Sequence, residues 1–300
     1  PLVIEEDDEF GELTVTDVNG LIEMTNEDND LDMPDDDTLA LTESIGIRGA
    51  EDTDRWYIYT EYTEPGTYEI RGEVTDVDGF MWDADSFAGF WLDLDTGESS
   101  ETLTLNNVGD EIPEDVGIVY QAVPVADQEP EFEFTVAEDD ADPFLYEKIG
   151  FLAEEYFVVA GDVATLSKIL VDDDTSYTLR TGESLELGEG YALTPKQIDV
   201  DGNKVWLEIT KDGDFVEDKI LSTDVDEAYE KTWFYQMDLN ENEDVDVIII
   251  HIDQVFQGQV DSLCVVDGLF QISDDPLVIE EDDEFGELTV TDVNGLIEMT

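Results

Sequence analysis

The chain has 300 residues, of which 82 are Asp or Glu and only 11 are Lys or Arg, for a formal charge of -71. So few cations exclude the basic footprint that nucleic acid and anionic membrane surfaces require. With 41% hydrophobic and 10% aromatic residues, the chain also lacks the low hydrophobicity of a disordered polyanion and reads as a folded protein with an acidic skin.

The first 67 residues read as short strands joined by acidic turns. Leu13 and Val15 alternate with Glu12, Thr14 and Thr16, and Asn19-Gly20 supplies a hairpin turn before Leu21, Ile22 and Met24. Residues 26 to 37 form a loop-like run of like charges around Pro34. Pairing resumes with Leu39, Leu41, Ile45 and Ile47, and again with Trp56, Ile58 and Tyr62.

After Pro65-Gly66 a period-2 pattern places Tyr68, Ile70 and Val74 on one face of a predicted strand. The cluster Phe80, Trp82, Phe87, Phe90 and Trp91 is expected in a core, with a sugar-binding platform as the alternative. A strand over Thr102–Leu105 follows. Asp142-Pro143 is positioned to open a short helix through Phe144, Leu145 and Lys148.

From residue 166 the pattern is that of a self-contained β domain. Leu166 to Val171 reads as a strand, Asp172 to Asp174 as a turn, and Ser184 to Leu187 as a further alternation. Asp201-Gly202 and Asp212-Gly213 sit between alternating runs and predict two successive hairpins. The run Val247 to Ile252 is apolar on both faces, too short to cross a membrane, and suits a central strand buried between two layers. A last strand over Leu269 to Ile272 leads through Ser273-Asp274-Asp275 into residues 276 to 300, which repeat residues 1 to 25 without a change. Pro276 restates Pro1 and Thr300 restates Thr25. The chain therefore reads as a window on a tandem array with a 275-residue period, and repetition at a fixed period suits molecules that tile through one shared surface.

Regularly spaced short strands with turn signals point to an all-β fold of tandem antiparallel sandwiches. Residues 1–165 are expected to form a first β-rich domain, residues 166–275 a second sandwich, and residues 276–300 the start of the following segment. The chemistry-bearing motifs are sparse. His251 is the sole histidine, and its place among isoleucines fits a structural, hydrogen-bonded ring and no catalytic base. Cys264 is the sole cysteine, so zinc sites built from Cys and His are excluded. No nucleophile elbow or phosphate loop occurs, and with 82 acids the spacing of carboxylate pairs carries no signal. No enzyme is expected. Asp76 and Asp78, with Asp238, Asn240 and Asn242, are the candidate metal ligands, although neither stretch has the full calcium-loop spacing.

Several phrases carry a family resemblance. GESLELGEGYAL (182–193), QIDVDGNKVWLEITKDG (197–213), GLFQISDD (268–275), FGELTVTDVNGLIEMTNED (10–28), GFMWDADSFAGFWLDLDTGESSETLTL (79–105) and YEKIGFLAEEYF (146–157) resemble the S-layer duplication domain of methanogenic archaea, the Methanosarcina type. The resemblance implies tandem β-sandwiches that tile into a porous coat outside the cell, with acidic pores acting as a charge-selective sieve. It also implies that a unit begins near Tyr68, so that 1–67 closes one unit and 68–165 opens the next. Two identical 25-residue copies suggest a long homogenised array, such as a sheath or extracellular filament, or else a polymer represented by one unit. No Asn-x-Ser/Thr sequon occurs.

The expected partners are copies of the chain itself and cations, with neither nucleic acid nor direct membrane insertion. No cofactor is required beyond diffuse divalent cations, calcium or magnesium. An extracellular adhesin or carbohydrate-binding sandwich is the alternative reading.

Overall fold

A computed structural model describes residues 4–18, 21–26, 31, 37–42, 45–50, 53, 55–60, 65–106, 112, 113, 116–136, 143–225 and 228–300. The Asn19-Gly20 turn, Pro34, Tyr62 and Asp142 lie outside the described residues. Strands dominate what is described, and the helical content is three short 3-10 turns at Val159–Gly161, Gly188–Gly190 and Ala228–Lys231. None of the described helices is long and apolar enough to cross a membrane.

The chain forms two compact units. Residues 1–72 with 92–99 make the first. It holds two antiparallel meanders, Glu9–Phe10, Leu13–Asp17 and Glu23–Thr25, then Thr38–Ala40, Ile45–Gly49 and Trp56–Thr60. Residues 73–91 with 100–300 make the second, whose described residues form four antiparallel sheets.

Within the second unit a central sheet runs Ile169–Asp173, Ser262–Ile272, Asn242–Gln257 and Thr232–Leu239, with Tyr177–Arg180 also pairing to Ser262–Ile272. Alternation explains its two faces. Phe234, Ile249 and Phe270 are in register across three strands, and Phe144 meets Phe270 edge-on at 5.4 Å. On the opposite face Tyr235, Ile248 and Gln271 are in register, and Tyr235 meets Tyr191 at 6.3 Å. Tyr191 belongs to the four-stranded sheet Leu185–Glu186, Tyr191–Asp199, Lys204–Lys211 and Asp214–Ser222. Those strands contribute Leu193, Val205, Leu207 and Ile209 to the same core, all fully buried. The expected hairpins are present, and Asp212 and Gly213 both have positive φ, +53° and +85°, as a two-residue turn between right-twisted strands requires.

A second core lies between two other sheets. One is five-stranded, in the order Val125–Gln128, Tyr146–Phe151, Glu154–Val158, Thr165–Ser167, Leu277–Val278. The other is six-stranded, in the order Glu284–Phe285, Leu288–Asp292, Ile297–Met299, Ile118–Ala122, Glu101–Leu105, Phe80–Trp82. Tyr120, Ile149, Phe151, Leu166, Ile297 and Met299 fill the space between them. Phe157 points into the first core and its neighbour Val158 into the second, so the five-stranded sheet is covered on both faces.

Three expectations are corrected. Residues 144–148 are extended and enter the strand Tyr146–Phe151, with Lys148 paired to Phe157 and Val125; the period-2 alternation through Ile149 and Phe151 outweighs the helix-opening dipeptide. Tyr68 to Val74 are not assigned to a strand; Glu73 N bonds to Ser86 O at 2.7 Å outside any described ladder, and Ile70 and Val74 stand exposed. The single strand expected over Leu166 to Val171 is two strands in different sheets, separated at Lys168, and Asp172 and Asp173 continue the second one where a turn was expected.

Ile249→Ala should open a cavity in the middle of the central sheet and lower unfolding free energy by about 3 kcal/mol, read from the shift of the denaturant midpoint at unchanged m-value.

Candidate functional site

Three features could do work: the connection into the repeated segment, the acid surface, and the residues with the chemistry of a catalytic or metal site. The connection is the most elaborate. The backbone of Ser273 donates to Lys168 O at 2.8 Å, and its carbonyl accepts from the Ser167 hydroxyl at 2.5 Å. Its own hydroxyl donates to Glu189 Oε1 at 2.6 Å. Asp274 accepts from Lys211 Nζ and from the Tyr191 hydroxyl at 2.7 Å, while its amide reaches Glu189 Oε2 at 3.2 Å. Burial by itself would raise the Asp274 carboxyl, but the Lys211 and Tyr191 hydrogen bonds outweigh it and hold the group below its ordinary value. The Lys211 ammonium is raised in turn, chiefly by its hydrogen bond to Asp274, and lies 4.8 Å from the Tyr191 ring centroid.

The chain leaves this joint directly into the strand Leu277–Val278, which pairs with Thr165–Ser167. The repeated segment then folds back: Ile297, Glu298 and Met299 pair with Ala122, Gln121 and Tyr120, and Ile279, Val290, Ile297 and Met299 are almost completely buried. Residues 276–300 thus close the second core as well as leading out of it. Glu189, Tyr191, Lys211, Ser273 and Asp274 lie within the family-like phrases, yet none belongs to a catalytic or metal-binding motif. The signal available was Lys211 itself, since a cation among so few in a chain of 82 acids marks a carboxylate that had to be neutralised.

Among the described residues Glu101 is the buried acid. Its carboxylate accepts from the Tyr120 hydroxyl at 2.8 Å, Ala153 N at 2.9 Å and Trp91 N at 2.8 Å, which replaces the water it lost. Other described acids are partly or fully solvated. Two of them, Asp172 and Asp267, are pushed up to about 6, mainly by burial.

The candidate chemical residues are placed as follows. His251 is buried in its strand, with Nδ1 2.9 Å from the Thr232 hydroxyl and the ring 4.9 Å from Phe132. Burial lowers it to about 4, so it is neutral at pH 7. Cys264 is a buried free thiol. In the aromatic cluster Phe80 and Trp82 meet edge-on at 4.9 Å. Both indole N–H groups bond internally, Trp82 to Glu73 O at 2.9 Å and Trp91 to Glu155 Oε2 at 2.7 Å. Asp76 and Asp78 lie on the irregular stretch before Phe80–Trp82.

Asp238, Asn240 and Asn242 surround the turn between Thr232–Leu239 and Asn242–Gln257. There Asp238 Oδ1 accepts from Asp244 N at 3.1 Å, Asn240 donates to Thr165 Oγ1 and Asn242 to Asp162 Oδ2, each at 3.3 Å. Among the described residues no group of three or more His, Cys, Asp or Glu side chains could hold a metal ion.

Residues 71–300 match the model of the S-layer protein family. A Major S-layer protein of Methanosarcina mazei is 44% identical over 97% of this chain and 43% of its own length. Those of Methanosarcina acetivorans and Methanosarcina barkeri are 43% and 38% identical, each over 98% of this chain and 44% of their own length. The chain spans less than half the length of these curated relatives.

Two outcomes follow for the joint and the acids. Lys211→Met should cost about 2 kcal/mol at pH 7, because it strands a half-buried carboxylate. Since the folded-state value of Asp274 is depressed, that difference should be present above about pH 4 and fade as pH falls further, measured by urea unfolding at each pH. Asp172 and Asp267 have the opposite sign: the folded state holds protons that the unfolded state has released, so their contribution grows as pH falls from above 6 toward 3.8. The melting temperature should therefore rise from pH 7.5 to 5, and the double variant Asp172→Asn, Asp267→Asn should start higher and respond less.

Proposed function

Because the chain belongs to the S-layer protein family, we propose that it is a structural cell-surface protein whose repeating units assemble into an acidic extracellular coat, sheath or filament. The single observation that carries this reading is the likeness, across nearly the whole chain, to three proteins named Major S-layer protein. The physical features agree with it. Stacked sandwich cores and a pinned connection with no Gly/Ser linker make a semi-rigid string. An envelope of solvated carboxylates gives a fixed negative lining that admits cations and small neutral solutes and repels anionic polymers.

The protein acts on no substrate in this reading. Its neutral, buried histidine and buried thiol serve packing, and the indoles of the Trp82 and Trp91 cluster hold the fold together, which counts against an adhesin's sugar platform. Its partners are copies of itself, with no nucleic acid and no insertion into the membrane. No defined cofactor is needed. Calcium or magnesium bound diffusely over the acid surface, the Asp76–Asp78 stretch and the Asp238 to Asn242 turn included, bridges surfaces that like charge would hold apart.

Electron microscopy and sedimentation across a divalent-cation titration test this. Ordered sheets, tubes or filaments should form with calcium or magnesium and dissolve in chelator, and acidification toward the sequence pI of about 4.1 should tighten or precipitate them. Sedimentation indifferent to cations and acid would remove the bridging role. Dispersed monomers under every condition would remove the assembly role.

A further inference from the structure

The second unit is a stack of four layers whose two ends differ. Six-stranded, five-stranded, central and four-stranded sheets follow one another, joined by the core around Tyr120 and Ile149, by Phe157 against Phe270, and by Tyr191 against Tyr235. The chain enters this unit beside the six-stranded sheet, where Trp82 Nε1 donates to Glu73 O at 2.9 Å. Residues 284–299 of the repeated segment lie in that same sheet. The outer face of the four-stranded sheet is therefore the end of the stack furthest from both, three layers or about 30 Å away.

That face is unlike the acid surface of the rest. Val205, Leu207 and Ile209 point inward and are fully buried, so Trp206 points outward, as do Ile220 opposite it and Phe215 opposite Thr210. These three are 39%, 64% and 61% exposed. The strands Tyr191–Asp199, Lys204–Lys211 and Asp214–Ser222 carry four lysines and five acids, a net charge of -1 in a chain of -71. The outward charges are matched locally. Lys196 Nζ bonds to Glu208 Oε1 at 2.9 Å, Trp206 Nε1 donates to Asp218 Oδ2 at 2.6 Å, and Lys204 stands opposite Asp199. Exposed apolar side chains ringed by balanced charge have the composition of a protein contact.

We propose that the outer face of the four-stranded sheet packs against the same face of a second copy of this chain. Charge selects the occupant. A cationic partner is drawn to the acid surface elsewhere, whereas another strongly acidic copy is repelled by that surface and meets almost no net charge here. The contact is isologous, so four lysines and five acids face the same set, and two sheet faces pack about 10 Å apart. Eight residues along each of four strands cover about 500 Å² per copy, or about 1,000 Å² for the pair, the small end of stable contacts. One such contact is weak, and a row of them along a tandem array is strong through multivalency. The proposal deepens the assembly reading by naming a contact between copies, and rests on that reading for its purpose.

Sedimentation equilibrium of the whole chain in chelator, at about 0.1 M and about 1 M monovalent salt, tests it. Chelator removes divalent bridging, and the higher salt shortens the screening length from ~10 Å to ~3 Å. The expected result is a monomer–dimer equilibrium that strengthens with salt. Phe215→Asp with Ile220→Asp should weaken it at least about tenfold. Phe215→Thr with Ile220→Thr, which adds no charge and suits a strand, should weaken it at least about threefold. Val123→Asp with Val260→Asp adds the same charge at exposed positions outside the four-stranded sheet and should change it by less than about twofold. An unchanged urea midpoint checks that each variant is folded, and the threonine pair decides if the aspartate pair is not.

Monomers at both salt concentrations up to about 1 mM chain would overturn the proposal. A dimer indifferent to the face variants, or weakened as much by the control pair, would overturn it too. Monomers whose emission shifts with a neutral polysaccharide such as dextran, with the shift lost in Trp206→Phe, would give the face to a glycan instead. Ordered coats from chains that stay monomeric in chelator would sink the face and leave the coat reading intact, whereas face-dependent dimers that never order would uphold the face alone.

Discussion

The constraint on which everything else depends is the scarcity of positive charge. A buried carboxylate needs a cation or several donors to replace its water, and this chain has 11 cations for 82 acids. Acids must therefore stay wet, and the arrangement that keeps more than a quarter of a chain wet while burying the remainder is the strand, which turns alternate residues to opposite sides. The long central strand shows the limit. Its ends carry acids and glutamines, while Val247 to Ile252 run through a region covered on both sides, where alternation must give way to continuous apolar sequence. Glu101 is the counter-example that clarifies the rule, buried only because the Tyr120 hydroxyl and two backbone amides take the place of a cation.

The two sandwich cores are joined by a sheet that belongs to both. Phe157 and Val158 point into different cores, so strain in one sandwich reaches the other through packed side chains. The joint at Ser273 and Asp274 adds to this, because one of the scarce lysines is spent at the point where the chain enters the repeated segment. A connection fixed by two side-chain networks and then by a strand pairing transmits orientation as well as length, which a surface lattice needs and a flexible linker cannot supply.

The acids also divide by their response to pH. Asp274 is held ionised by its partners, whereas Asp172 and Asp267 are held toward the neutral form by burial among other carboxylates. A mildly acidic or cation-rich medium thus relieves the surface repulsion and these two internal penalties together, while leaving the joint intact until the pH is much lower.

The all-β class, the hairpins at Asp201-Gly202 and Asp212-Gly213, the buried strand around Ile249 and the buried, hydrogen-bonded place of His251 were all legible in the sequence, because each is a matter of local alternation, turn chemistry or apolar neighbours. The family resemblance was legible for the same reason, in strand and turn phrases. Residues 144–148 were misread because proline and aspartate signal a helix start only when the following residues have helical period, and Ile149 and Phe151 do not. Tyr68 to Val74 had a strand's pattern but enter none of the described sheets, and sheet pairing is a property of the fold. The 25-residue identity announced a repeat by itself, yet sequence treats its two copies as equal. Only the tertiary structure showed what the segment completes, by seating Ile297 and Met299 on Ile118–Ala122. Burial belongs to the neighbour that covers a side chain, and the segment's own sequence does not specify that this neighbour is a strand lying far upstream in the chain.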